Sequence, residues 1–520
     1  MSFSALDWTI FIAYFSIMGG TGWYFSRRKV TDTKDYFLGG NSMPIWLVAI
    51  SVLATAQSAA TFLGGPDQGY RSNLTYLATN LGTILAAVFV AKVMIPRFYA
   101  LKVTTVYELL EVRFGEMTKK RAGAMYLFGR VFASGARLYM AAIAVSMIIF
   151  QDIAADHVVL SVLILTTVGL LYSLVGGIRS VIYSDAIQCG VYVTAAIAVI
   201  YYLMSSISVD YSEVIKALDQ PVDGSGSKFT LFDFSLNFGK EGVFSVWASL
   251  TGFLLLGIAS FGMDQDMTQR VLTCKSAGES AKAMLLSMVL VVPVVLLFMA
   301  IGLLLYVFYQ RPELMSANQG GDIVQTFNGE NITIFMYYVL HEMPAGLRGL
   351  VTVGIVAAAL STLNSGLNSM SSVMVEDFYR PLMLAKNKQH PDMHYVTAGR
   401  FGMLIAAIGL GGMAVLSYYW QKYSDMPLLA FALSVMVFAY SGLLGVYFNA
   451  LFTKRGNATS ALMALIIGFL ITLFFQPYVQ DSLGLNLDLA FPYQLCVASA
   501  VAFIVCFIGS PAEATQESVA

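Results

Sequence analysis

The chain has 520 residues, of which 58% are hydrophobic and 12% charged, with a formal net charge of −1 and a mean hydropathy of +0.71. Soluble domains carry roughly 45–50% apolar and about 25% charged residues. These values exclude a soluble globular fold and a basic nucleic-acid-binding surface, and they define a polytopic membrane protein.

The first apolar run, about residues 7–26, has no Lys or Arg before it and "SRRK" (Ser26 to Lys29) after it. That charge order predicts an outside N-terminus and an inside first loop, with no signal-peptide pattern. A spanning helix needs about 20 apolar residues. The chain offers thirteen candidates, centred near residues 17, 54, 86, 136, 167, 194, 256, 294, 360, 407, 440, 468 and 498. The predicted inside loops hold most of the basic residues, among them Lys34, Arg113, Lys120, Arg179, Arg270, Lys275, Arg380 and Arg455. The short outside loops hold only Arg71 and Lys422. Thirteen spans place the C-terminus inside, with the short polar tail "GSPAEATQESVA" expected to carry no further domain. Four cysteines and four histidines show no metal-ligand spacing, so zinc and haem have no support.

Setting aside the first helix and the last two leaves ten, five in each half. An odd number per half gives the halves opposite orientation, the arithmetic of an inverted repeat. The expected organisation is an extra helix and inside loop (1–42), a first repeat (43–207), an outside loop (208–242), a second repeat (243–452), and two further helices with the tail (453–520). The first helix of each repeat should be interrupted at mid-depth, where freed backbone groups bind ions and solute. "SVLATAQSAATFLGG" (Ser51 to Gly65) and "TGFLLLGIASFGMDQ" (Thr251 to Gln265) supply the polar and glycine patches for this. Such residues also serve close helix packing.

Between the two patches, Arg137 lies near the centre of the fourth span. An arginine there faces a wet cavity or the bundle interior and has a partner. Its guanidinium either recognises a solute carboxylate as a planar fork or is held structurally. Asp185, in "GGIRSVIYSDAIQ" (Gly176 to Gln188), is a carboxylate only a few residues inside a span. It needs a cation, a partner such as Arg179, or a role in transport. In the ninth span, Ser361, Ser365, Asn368 and Ser372 recur at i, i+4, i+7 and i+11, which is one helical stripe, flanked by Thr362 and Asn364. Hydroxyl and amide oxygens suit a hard cation. They also act as packing glue between helices. One carboxylate with neutral oxygens suits a monovalent ion.

Four motifs occur in order: "TTVYELLEVRFG" (Thr104 to Gly115), "GGIRSVIYSDAIQ", "DQDMTQRVLTCKS" (Asp264 to Ser276) and "LSTLNSGLNSMSSVMVEDFYR" (Leu360 to Arg380). With them the chain resembles, over nearly its whole length, the sodium/solute symporter family, whose members carry sugars, proline, sialic acid, monocarboxylates, vitamins and iodide. The resemblance implies an all-α, five-plus-five inverted-repeat (LeuT-like) core that works by alternating access, with Na⁺ as the coupling ion. It implies one sodium site at the backbone carbonyls of Ala54 and Gln57, with Ala358, Ser361 and Thr362 opposite. It implies a second site at Asp185, Ser361, Asn364 and Ser365, although Asn364 stands where sialic-acid members have serine. The implied solute pocket comprises Ser58, Thr61, Tyr76, Asn80, Arg137, Tyr139, Ser260 and Phe261. Thr61 and Ala60 replace the glutamine and acidic residue of the sugar type, which favours a carboxylate-bearing solute (sialic acid, an amino acid or a monocarboxylate) over a hexose. A sugar symporter and a proton-coupled or uncoupled carrier are the alternatives.

No nucleophile–base pair or metal constellation points to an enzyme, and nothing points to an obligatory protein partner. The expected partners are the solute, sodium and the bilayer. Short loops suggest a prokaryotic chain in an inner membrane. Each Na⁺ entering down 100 mV releases about 2.3 kcal/mol.

Overall fold

The structure, a computed structural model, describes residues 3–222, 224, 226–316, 326–327, 330–424 and 428–511. The tail from Ala512 and the side chain of Lys422 lie outside this description. Sixteen helices build the membrane body and position its centre. They are α1 (Ala5–Ser26), α2 (Ile45–Ala56), α3 (Ala59–Arg71), α4 (Thr75–Leu101), α5 (Glu116–Phe150), α6 (Ala155–Leu174), α7 (Gly176–Ser205) and α8 (Val246–Gly262). Then come α9 (Gln265–Val271), α10 (Ala277–Gln310), α11 (Ile334–His341), α12 (Leu347–Ala385), α13 (Asp392–Ser424), α14 (Leu428–Phe452), α15 (Ala458–Phe474) and α16 (Phe491–Ile508). All thirteen predicted span centres fall inside one of them. Among the described residues nine helices are long and apolar enough to cross a bilayer, or eleven when two bent pairs are counted. The only strands described are the two-residue pair Thr326–Phe327 and Glu330–Asn331.

The ends of these helices follow local chemistry. Ser4 and Asp7 close a capping box on α1. Asp7 also accepts hydrogen bonds from the Gly346 and Gly349 amides (2.8 and 2.7 Å), tying α1 to the start of α12. At the start of α7, where it follows α6, the chain turns at Gly177, whose φ of +59° and ψ of −160° suit only glycine. A Cβ there would lie 2.5 Å from the Tyr36 carbonyl oxygen.

Lipid gives helices no hydrophobic reason to associate, so close packing does the work. Helices α3 and α10 illustrate this: a Cβ on Gly302 would fall 2.1 Å from the Pro66 carbonyl oxygen. Helix α12 is central, with 94% of its most apolar stretch buried within the protein against 33% for α6. Its polar stripe therefore faces other helices rather than lipid.

Both predicted interruptions are present. Helix α2 ends at Ala56 and α3 begins at Ala59, with Gln57 and Ser58 extended (ψ 131° and 175°). Helices α8 and α9 meet at a 60° bend across Met263 and Asp264.

Candidate transport site

The first break frees polar groups at the centre of the bundle. The Gln57 amide still donates to Leu53 (3.0 Å), but the Thr61 amide closes onto Ser58 (2.9 Å) as the new helix starts. The ladder bond from Ser58 to Ala54 is not made, so the Ala54 and Gln57 carbonyls are released from the helix, as the expected sodium site requires. Thr55 and Ser58 suit this position because hydroxyls compete with the ladder. Across from them, α2 packs against α12. There the Thr362 hydroxyl donates to the Ala358 carbonyl (3.2 Å), and the Ser361 hydroxyl donates to Asp185 Oδ1 (2.8 Å). All five residues are buried.

A cavity of about 120 Å³ opens beside this break. At about 10–15 Å³ per water it has room for a small solute or several waters. Of the eight predicted solute-binding residues, Thr61, Tyr76, Asn80, Arg137, Ser260 and Phe261 line it. Gln57, from the predicted sodium site, lines it too. Ser58 and Tyr139 do not. Ser58 is buried in the break itself, and the Tyr139 ring packs edge-on to Tyr418 at 6.2 Å. The wall that the sequence does not single out is mostly apolar, with Phe253 and Leu256 on α8, Met288, Val291 and Val295 on α10, and Met436 on α14, and it adds the hydroxyls of Thr79 and Thr83 on α4. Nothing in an isolated apolar run distinguishes such residues from lipid-facing ones.

Arg137 stands in this wall almost fully buried. Its Nη2 donates to the Met436 sulfur at 3.0 Å, and among the described residues its Nε and Nη1 have no hydrogen-bond partner. Buried polar groups are nearly always paired, so two open donors on a cation in a cavity point to an anion that completes them. The Gln57 side-chain oxygen is likewise buried without a partner.

Asp185 has a cation, but it is not Arg179. Arg179 instead donates to the Gly39 carbonyl and the Ser42 hydroxyl (2.6 Å each) and reaches Asp35 at 3.5 Å. The cation on Asp185 is Arg270, at 3.1 Å from Nη2 and 3.3 Å from Nε, with Ser51 and Ser361 donating to the same carboxylate. The sequence pattern puts Arg270 in an inside loop. The structure corrects this: Arg270 lies in α9 and is completely buried, because its charge is satisfied there by carboxylates rather than by water.

Arg270 also pairs with Asp266 (2.7 Å), and Asp266 pairs with Arg130 on α5. Arg130 reaches Asp264 at 3.0 Å, and the Tyr440 hydroxyl donates to Asp264 from α14. This network crosses α2, α5, α7, α9, α12 and α14. Sequence reasoning misses Arg130, Asp264, Asp266, Tyr440 and Ser51 as one group. The acidic pair in "DQDMTQR" is the available signal.

Beyond Ser361, which bonds Asp185 on α7, the α12 stripe faces α9. Ser365 donates to Asp266 (3.1 Å), Gln269 donates to Asn368 (3.0 Å) and Gln265 donates to Ser372 (3.3 Å). Asn364 turns elsewhere: its side-chain oxygen has no partner and would lie 3.1 Å from a Cβ on Gly169 of α6.

A buried cavity at two interrupted helices, with released carbonyls and a cation in its wall that pairs with no carboxylate among the described residues, defines an ion-coupled membrane carrier of inverted-repeat architecture. The comparisons are specific about which. A profile of the sodium:solute symporter family matches residues 36–468, and the chain belongs to that family. It is 30% identical to the sodium/sialic acid symporter SiaT of Proteus mirabilis, covering 91% of this chain and 89% of that protein. It is 28% identical to the sodium/sialic acid symporter NanT of Aliivibrio fischeri, covering 93% and 90%. A solved Na⁺-coupled sialic acid symporter in a substrate-bound, outward-open state superposes with a TM-score of 0.80 at 25% identity, covering 98% of this chain and all of that one. The chain is thus a multi-pass membrane carrier with Na⁺ as its coupling ion, and members of its family transport solutes.

Proposed function

We propose that this chain imports a small organic carboxylate together with Na⁺, and that Arg137 receives the carboxylate. The observation that carries this reading is the pair of unpartnered nitrogens on Arg137 at the cavity wall. The start of α3 lies beside the same cavity and presents the positive end of a helix, which also favours an anion. Hydroxyl and amide groups of Thr61, Asn80 and Ser260 suit a polyhydroxylated acid. Sialic acid, which two relatives are named for, is such a molecule and is the first solute to test.

In this reading Na⁺ binds the carbonyls of Ala54 and Gln57 with Ala358, Ser361 and Thr362, and orders the α2–α3 break. The solute then binds more tightly, and by linkage raises sodium affinity by the same factor. The proposed division is 1–42, 43–207, 208–242, 243–452 and 453–520, with the N-terminus outside, the α9 end of the network on the cytoplasmic side, and an inner membrane as the location. The chain acts as a carrier and not as an enzyme.

The test is uptake into proteoliposomes of labelled sialic acid, lactate, proline and galactose, each with wild type and Arg137→Ala. Saturable uptake of an acid whose KM Arg137→Ala raises about tenfold or more supports the proposal. Uptake of galactose alone, unaffected by Arg137→Ala, overturns it in favour of a sugar carrier.

A further inference from the structure

Six charged side chains are buried around the cavity and the network below it: Arg130, Arg137 and Arg270, against Asp185, Asp264 and Asp266. Three positive and three negative charges cancel. Five of the six are joined by direct ion pairs. The sixth, Arg137, follows Arg130 by seven residues on α5, two turns or about 10 Å further along the same face. Met436, which Arg137 touches, is one turn from Tyr440, which touches Asp264. The group is therefore one electrostatic unit, and it is neutral before any ion or solute arrives.

A net charge in a low-dielectric interior is costly unless paired. Adding one Na⁺ and one carboxylate leaves this unit neutral. Adding two Na⁺ and one carboxylate leaves it with an uncompensated positive charge. The carboxylate a second Na⁺ would need is Asp185, and it already holds the Arg270 guanidinium at 3.1 Å and two donated hydroxyl hydrogen bonds. Of the other neutral oxygens expected at that site, Asn364 faces α6 and the Ser365 hydroxyl donates to Asp266.

We infer that Arg270 is a tethered cation filling the place of a second sodium at Asp185, so that this chain binds one Na⁺ per transport cycle. The inference rests on the reading above, in which Na⁺ binds at the α2–α3 break and Arg137 meets a carboxylate. It makes Arg270 a positioning residue that sets ion stoichiometry.

The experiment is equilibrium binding of ²²Na⁺ to the purified full-length chain, counted as ions per protein at saturation. Wild type should hold one. Two ions in wild type overturn the inference and leave sodium coupling intact. No bound sodium overturns the sodium site itself, and the inference with it. The charge-balanced variant Asp185→Asn/Arg270→Gln should still hold one ion, because the pair is removed together, none of the five residues at the break is changed, and the amide oxygen introduced at position 185 still accepts from the Ser361 hydroxyl. Loss of that ion in a variant with an unchanged melting profile shows Asp185 to be its ligand and overturns the inference. If the variant does not fold, the wild-type count decides alone.

Discussion

Arg137 and Asp185 are both visible in the sequence as charges where the membrane tolerates few, and their fates differ. Arg137 lines the cavity and holds two nitrogens without a partner among the described residues, so removing it should weaken solute binding. A hydrogen bond to a charged group contributes about 1.5–3 kcal/mol, so Arg137→Ala should raise the KM for an acidic solute about 10- to 150-fold with its sodium dependence retained. Arg137→Lys should recover only part of this, because an ammonium lacks the planar fork. Saturation curves for initial uptake rates measure both. Arg130 is different, because it is wedged between Asp264 and Asp266. Breaking a buried pair costs about 3–5 kcal/mol, so Arg130→Met should lower the thermal midpoint of the detergent-solubilised protein rather than only change KM. The need of Asp185 for a cation is legible in the sequence, but the identity of that cation is not. Arg270 lies 85 positions away, inside a motif that reads as a charged loop.

At the scale of elements, the two helix interruptions are legible because their composition contradicts a continuous span. Polar residues cluster in "ATAQSAAT", and Gly257, Gly262 and Asp264 fall together in the second. The stripe on α12 is legible as one face, but its partner is not. A period of hydroxyls says that a face is polar and does not say whether an ion or another helix meets it. The structure shows the helix contacts: Ser361 donates to Asp185 on α7, while Ser365, Asn368 and Ser372 bond α9, and the ion use is the one proposed for Ser361. The α6–α7 turn yields a sharper test. Gly177 takes a backbone conformation closed to other residues and sits against the Tyr36 carbonyl. Gly177→Val should destabilise the protein by about 2 kcal/mol or more, seen as a lower melting midpoint and reduced membrane yield. Gly412 has open space around it and should accept alanine with little change.

For the whole molecule, the spans and their order come from hydropathy. The charge balance does not, because it exists only when α5, α7 and α9 are brought together. That balance has a consequence for energetics. One Na⁺ travelling with one monoanionic solute moves no net charge, so the membrane potential contributes nothing and the sodium concentration gradient supplies all the work. At a fixed sodium gradient, uptake of such an acid should be unchanged by a potassium diffusion potential set with valinomycin. We expect α9 to part from α12 during transport, because a carrier that opens its site to each side in turn separates helices that meet there. With the four native cysteines replaced, Gln269→Cys/Asn368→Cys joined by a short thiol cross-linker should halt uptake, and a cleavable linker should restore it on reduction. The central claim is that sodium drives the solute, and the most direct measurement is concentrative uptake of labelled sialic acid into proteoliposomes under an inward Na⁺ gradient. With one ion per solute, a tenfold gradient should support about tenfold accumulation, since each factor of ten is about 1.4 kcal/mol. Replacing Na⁺ by K⁺, or equalising Na⁺ across the membrane, should abolish that accumulation. Equal accumulation in K⁺, or accumulation driven by a proton gradient alone, would contradict the claim.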